Sequence, residues 1–109
     1  MKITSKQDGA LLIVRLAGRM DAVSAPELEE FMSGHDLSGR FVLDLSELEY
    51  VSSAGLRTLL MMGKQVKAAS GALVLAGLNG IVREVFELSG FQKLFLVRDT
   101  IDDAIAGLA

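Results

Sequence analysis

Tyr50-Val51-Ser52-Ser53-Ala54-Gly55-Leu56-Arg57 sets two hydroxyls where a buried strand hands over to a helix. Upstream, Phe41-Val42-Leu43-Asp44-Leu45 is a short apolar run between polar residues, as expected of a strand covered on both faces. Downstream, Leu56, Leu59, Leu60, Gly63 and Val66 recur at helical spacing, while Arg57, Lys64, Gln65 and Lys67 fall largely on the other side. The spacing predicts a helix over about residues 54–69 that stops at Ser70-Gly71. The first amides of such a helix lack intrahelical acceptors, so a serine oxygen or a phosphate can accept from them. On this local stretch alone, helix capping is the preferred reading of Ser52 and Ser53, and close packing of the first turn is that of Gly55.

The flanks supply the rest of the fold. Residues 2–7 alternate weakly, Asp8-Gly9 is a turn dipeptide, and residues 10–16 are strongly β-prone, which reads as a hairpin. Gly18-Arg19-Met20-Asp21 ends the second strand. Ser24-Ala25-Pro26-Glu27 then has the form of an N-cap, a first-turn proline and an early acid, with Leu28, Phe31 and Met32 as the buried stripe of the helix it opens. Gly34 ends that helix, and Gly39 turns the chain into the strand over residues 41–45.

Beyond the central helix, residues 72–76 form another short apolar strand with Gly77-Leu78-Asn79-Gly80 as its exit loop. The next helix turns Ile81, Val82, Val85, Phe86 and Leu88 inward and is capped by Gly90. A last strand over residues 94–97 and a closing helix over 99–108, with Asp or Thr at its start, complete the order ββαβαβαβα. Helices alternating with strands after the hairpin require crossovers. The expected fold is α/β, one domain over residues 1–109, with a mixed central sheet of about five strands and about four helices.

Composition narrows the function. Half of the 109 residues are hydrophobic, enough to bury a core without staples. A net charge of -3 with scattered lysines and arginines gives no basic footprint for nucleic acid. The absence of cysteine excludes disulfides, thiolate zinc sites and cysteine nucleophiles, and suits a reducing compartment. The longest apolar run, residues 10–14, is far too short to cross a bilayer, so a soluble, cytoplasmic protein without membrane insertion is expected.

Catalytic constellations do not emerge. A serine nucleophile needs a base, and the one histidine, His35, lies in a Gly-His-Asp turn that reads as an exposed loop. Glu27, Glu29, Glu30, Asp102 and Asp103 read as solvated helix surface, and no metal-ligand spacing or phosphate-binding fingerprint occurs, so neither metal nor cofactor is expected. Projection at 100° per residue puts Met61 almost opposite the Leu59/Gly63/Val66 face, beside Ala54, Thr58, Gln65 and Ala68. A flexible apolar side chain among small neighbours suits a docking surface.

Taken in order, these segments resemble the STAS family and, within it, the bacterial anti-sigma factor antagonists. Gly18-Arg19-Met20-Asp21 resembles the family's Gly-x-Leu-Asp, and Val42-Leu43-Asp44-Leu45-Ser46 with Leu48 resembles the strand and loop before the switch. Ser52-Ser53-Ala54-Gly55-Leu56 resembles the Asp-Ser-Ser/Thr-Gly-Leu phosphorylation motif. Val85-Phe86-Glu87-Leu88-Ser89-Gly90-Phe91, followed by Leu94-Phe95, resembles the late helix and last strand. Two positions depart from the motif: Ser52 stands for the aspartate, and Ala54 follows the acceptor.

The resemblance implies a regulatory protein rather than an enzyme. Its unmodified form would bind an anti-sigma factor that is also a serine kinase and thereby release the sigma factor. Phosphorylation of Ser53, with Ser52 as a second candidate, would end that binding, and a serine phosphatase would restore it. The partner surface implied comprises Asp21, Ser52, Ala54, Gly55, Arg57, Thr58 and Met61. The alternative is a non-switching STAS subunit of a lipid-transport or membrane-transporter complex, and a small-metabolite enzyme is a more distant rival. The oligomeric state stays open.

Overall fold

The computed structural model describes residues 1–108. A hairpin of β1 (Lys2–Asp8) and β2 (Leu11–Met20) is followed by α1 (Ala25–Ser33), β3 (Arg40–Val51) and α2 (Ser53–Ala68). Then come β4 (Ala72–Ala76), α3 (Gly80–Ser89), β5 (Leu96–Arg98) and α4 (Ile101–Leu108). One five-stranded sheet runs in the order β1-β2-β3-β4-β5, antiparallel at the first pair and parallel at the other three. The expected α/β class, element order and strand number are those observed.

Alternation along the central strands divides the core between the two faces of the sheet. Val14, Leu16, Leu43, Leu45 and Leu75 pack with Leu28 of α1, Leu59 of α2 and Phe86 of α3 on one face. Leu11, Val42, Val74 and Ala76 meet Ala104 of α4 on the other. The central run is apolar at both parities because helices cover both sides.

Several elements depart from the sequence expectation. β3 continues through residues 46–51, expected to be a loop, because β2 runs on beside it to Met20 and pairs Gly18 with Leu48 and Met20 with Val51 across two register shifts. The last strand is not residues 94–97: Phe91–Lys93 is a 3-10 turn, and only Leu96–Arg98 pair with β4. In α3, Val82 and Phe86 are buried as expected, but Ile81 and Leu88 face outward, with Leu88 88% exposed. Sheet contact takes one narrow stripe of a ten-residue helix, and among the described residues no neighbouring element covers the other side. Phe31 of α1 is only half-buried, stacked on His35 at 4.8 Å between ring centroids.

Candidate functional site

The strand ends of β2 and β3 deliver the site. Met20 and Val51 are register partners, and the Ser52 N–H donates to the Met20 carbonyl oxygen at 2.8 Å. The turn after β2 and the start of α2 are therefore side by side at the carboxyl ends of two parallel neighbours, where open α/β sheets place their sites.

The two serines have different jobs. Ser52 is extended, with φ -87° and ψ 173°, and its hydroxyl accepts from the Gly55 N–H at 3.1 Å. It is the N-cap, and it performs there what an aspartate side chain would. Ser53, one residue on, is exposed in the first turn of α2, and among the described residues its hydroxyl makes no hydrogen bond. The expectation of capping thus holds for Ser52 and not for Ser53.

Gly55 permits this junction. A Cβ there would come within 2.9 Å of both the Met20 carbonyl oxygen and Val51 Cγ2, so only a glycine lets the helix start so close to the sheet. Ala54 is half-buried beside it.

Asp21 organises the facing turn. Its Oδ1 accepts from the backbone N–H groups of Val23 and Ser24, each at 3.0 Å, and its own N–H donates to Ser24 Oγ at 2.9 Å. The Ser24 backbone N–H, and with it the Ser24 hydroxyl and the Val23 N–H, holds the Asp21 carboxyl below the ordinary carboxylate range. Ser24 does sit at the start of α1, but its hydroxyl also donates back to the Arg19 carbonyl oxygen at 2.9 Å and caps no helical amide. Sequence reasoning missed Ser24 as the residue that fixes Asp21; the Asp-x-x-Ser spacing is the turn signal that carries this role.

Along α2, Ser53, Arg57 and Met61 are each four residues apart and all three are exposed, Met61 at 39%. They form one outward ridge beside a shallow apolar hollow. Thr58 does not join that ridge. It is buried against α1, and its hydroxyl donates to Glu29 Oε1 at 3.3 Å, because α1 packs on the flank where the helical projection had left open surface. His35 is occupied locally: its Nδ1 lies 3.0 Å from the Phe31 carbonyl oxygen. No described helix is long and apolar enough to cross a membrane.

The comparisons bear on the fold and the family. The model of the STAS domain matches residues 2–104. A Bordetella bronchiseptica protein named as an anti-sigma factor antagonist, BtrV, is 42% identical over 108 residues, covering 97% of this chain and 93% of its own. An anti-sigma factor antagonist from Mycobacterium paratuberculosis superposes with a TM-score of 0.82 at 27% identity, over 97% of this chain and 92% of that one. A Thermotoga maritima structure of the same designation reaches a TM-score of 0.88 at 19% identity, with 96% and 92% covered, and attests the fold. With residues 2–104 matched by the family model, the chain belongs to the STAS domain family.

Proposed function

We propose that this chain is an anti-sigma factor antagonist that works by partner switching. Unmodified, it binds an anti-sigma factor that is also a serine kinase; phosphorylated at Ser53, it lets go, and a serine phosphatase resets it. The observation that carries the reading is the division of labour at the helix start. Ser52 is engaged with the Gly55 amide, whereas Ser53 presents an exposed hydroxyl on the same ridge as Arg57 and Met61. The name of the Bordetella bronchiseptica relative supports the choice of partner.

The physics of the switch is local. A phosphate on Ser53 adds about -1.5 to -2 charges at neutral pH, and the amino end of α2 stabilises that charge within the protein's own fold. The partner's surface meets a hydrated dianion beside the Asp21 carboxylate, where repulsion and desolvation oppose docking. A penalty of about 3 kcal/mol weakens binding more than a hundredfold. Asp21, Ala54, Arg57 and Met61 form the contacted surface; Ser52, Gly55 and Thr58 shape it from beneath. The chain is substrate and ligand in this scheme, and the kinase supplies base, magnesium and ATP.

The test is capture from lysate of the source organism with nucleotide present, followed by titration of the purified kinase against wild type, Ser53→Ala and Ser53→Asp. Ser53→Ala should bind like unmodified wild type and resist phosphorylation, and Ser53→Asp should bind at least tenfold more weakly. Equal affinity for the two variants rejects the switch, and capture of transporter subunits instead supports a constitutive adaptor.

A further inference from the structure

At the opposite end of α2 from Ser53, a groove of about 560 Å³ opens between the helix, the start of β4 and the segment that leads into β5. Leu60 and Val66 of α2, Leu73 of β4, and Leu94, Phe95 and Leu96 line it. Three features set it apart from a packing hollow. Leu94 and Leu96 stand 60% and 49% exposed although they are two residues apart in a chain that buries most of its leucines, so one wall is apolar and uncovered. Because β5 pairs only with Val74–Ala76, the first residues of β4 are left without a strand on that side, and the groove runs up to the sheet. Gly63 lets the Phe95 ring pack down on α2 as the floor of the groove, since a Cβ there would press on Phe95 Cε1 at 3.2 Å.

The charge on the rim selects the occupant. The net charge of the chain is -3, yet α2 contains no acidic residue and carries Arg57, Lys64 and Lys67. Lys64 and Lys67, one turn apart, both border the groove. No lining side chain can accept a hydrogen bond. A peptide laid in the groove could pair its backbone with only the two residues of β4 left without a strand, Ala72 and Leu73, and its other N–H groups would meet no side-chain acceptor, at a cost in unsatisfied donors. An alkyl chain brings none. The volume lies within the range of small-molecule sites, which are mostly apolar with a few placed polar groups.

From this we infer that the groove between α2 and Leu94–Leu96 is a binding site for a free long-chain carboxylate, its alkyl chain against Leu60, Leu73, Phe95 and Leu96 and its head group on Lys64 and Lys67. The site adjoins the hollow beside the Ser53–Arg57–Met61 ridge through Leu60 and Lys64, and it does not depend on the switching function.

The experiment is calorimetric titration of the 109-residue chain with octanoate, decanoate and dodecanoate, and with 1-decanol, below their aggregation limits, with amide chemical shifts to locate the site. Saturable 1:1 binding is expected, tightening about fourfold per added methylene, with shifts at Leu73, Leu94 and Leu96. Lys64→Glu/Lys67→Glu should weaken dodecanoate about tenfold and leave 1-decanol unchanged. Leu94→Gln/Leu96→Gln alters only half-exposed side chains, so the fold survives, and it should weaken both ligands. The proposal is overturned by absence of saturable dodecanoate binding, by shifts confined to Ile81 and Leu88 on α3, or by indifference to both double variants. Sedimentation with phosphatidylglycerol vesicles in place of 1:1 dodecanoate binding also overturns it, in favour of a lipid surface.

Discussion

The Ser52 amide is bonded to the Met20 carbonyl oxygen at 2.8 Å, so the residue that caps α2 is tied to the last residue of a different strand. Asp21 follows Met20 directly and Ser53 follows Ser52, and the one bond therefore fixes the spacing of the two groups on which the proposed switch depends.

Gly55 makes that bond possible, and replacing it tests the junction. Gly55→Ala should gain about 1 kcal/mol of helix propensity. It should lose more, because the new methyl meets a backbone oxygen and Val51 at 2.9 Å, and backbone cannot rotate away. A net loss of about 1–2 kcal/mol is expected in urea denaturation. Unchanged or raised stability would mean that the helix start can shift off the sheet freely.

The two serines should separate in stability measurements before any partner is added. Ser52→Ala removes the acceptor for the Gly55 N–H and should cost about 1 kcal/mol, a fall of about 4–8 °C in Tm. Ser53→Ala, at an exposed position, should stay within about 0.5 kcal/mol of wild type. A reversal of these two values in thermal melts would exchange the assigned roles.

Asp44 links stability to pH. Its side chain is buried at 1% exposure; Oδ1 accepts from the Ser46 hydroxyl at 2.6 Å and the Ser46 N–H at 3.0 Å, and Oδ2 pairs with Arg15 at 2.9 Å. Burial pushes its pKa up, but the Ser46 hydroxyl and amide and the Arg15 guanidinium together pull it further down, to a net value below the ordinary one. A carboxyl whose folded pKa is depressed stabilises the protein fully above its unfolded value of about 3.9, and that contribution is lost as pH falls through the lower folded value. Asp44→Asn should cost about 2 kcal/mol at pH 7 and flatten the loss of stability below about pH 4. Parallel urea curves for wild type and variant across pH 3–7 are the measurement, and an acid limb of the same steepness in both excludes Asp44 as its source.

Met61 separates docking from folding. Met61→Ala removes an exposed side chain from the α2 ridge, so the melting temperature should hardly move, while affinity for the kinase should fall about tenfold if the ridge is the docking surface. Titration of the purified kinase reads the second quantity and a melt reads the first. Loss of stability without loss of affinity would place Met61 in the structure instead of the interface.

Apolar runs bounded by turn residues located β2, β4 and the first half of β3, a weak alternation before Asp8-Gly9 located β1, and the 3.6-residue stripe with its capping residues located the helices, because these signals are local. The outward position of Met61 was legible for the same reason. Thr58 was not: its burial follows from α1 arriving on that flank of α2, with Glu29 over its hydroxyl. Ile81 and Leu88 were expected inside from their apolar character alone, and they remain outside because no element covers them. Residues 46–51 carry Ser46, Glu47 and Glu49 and look like a loop, yet they are strand because β2 offers them a hydrogen-bonded partner.

The sequence by itself determined the order ββαβαβαβα, the strand-to-helix junction holding both serines, and the family whose motif that junction resembles, since each is written in neighbouring residues. Tertiary structure decided which serine caps and which is exposed, where β3 ends, and that Asp21 sits beside the start of α2. Those outcomes depend on contacts between segments some thirty residues apart, such as Met20 with Ser52, and no local periodicity encodes the register in which two distant strands meet.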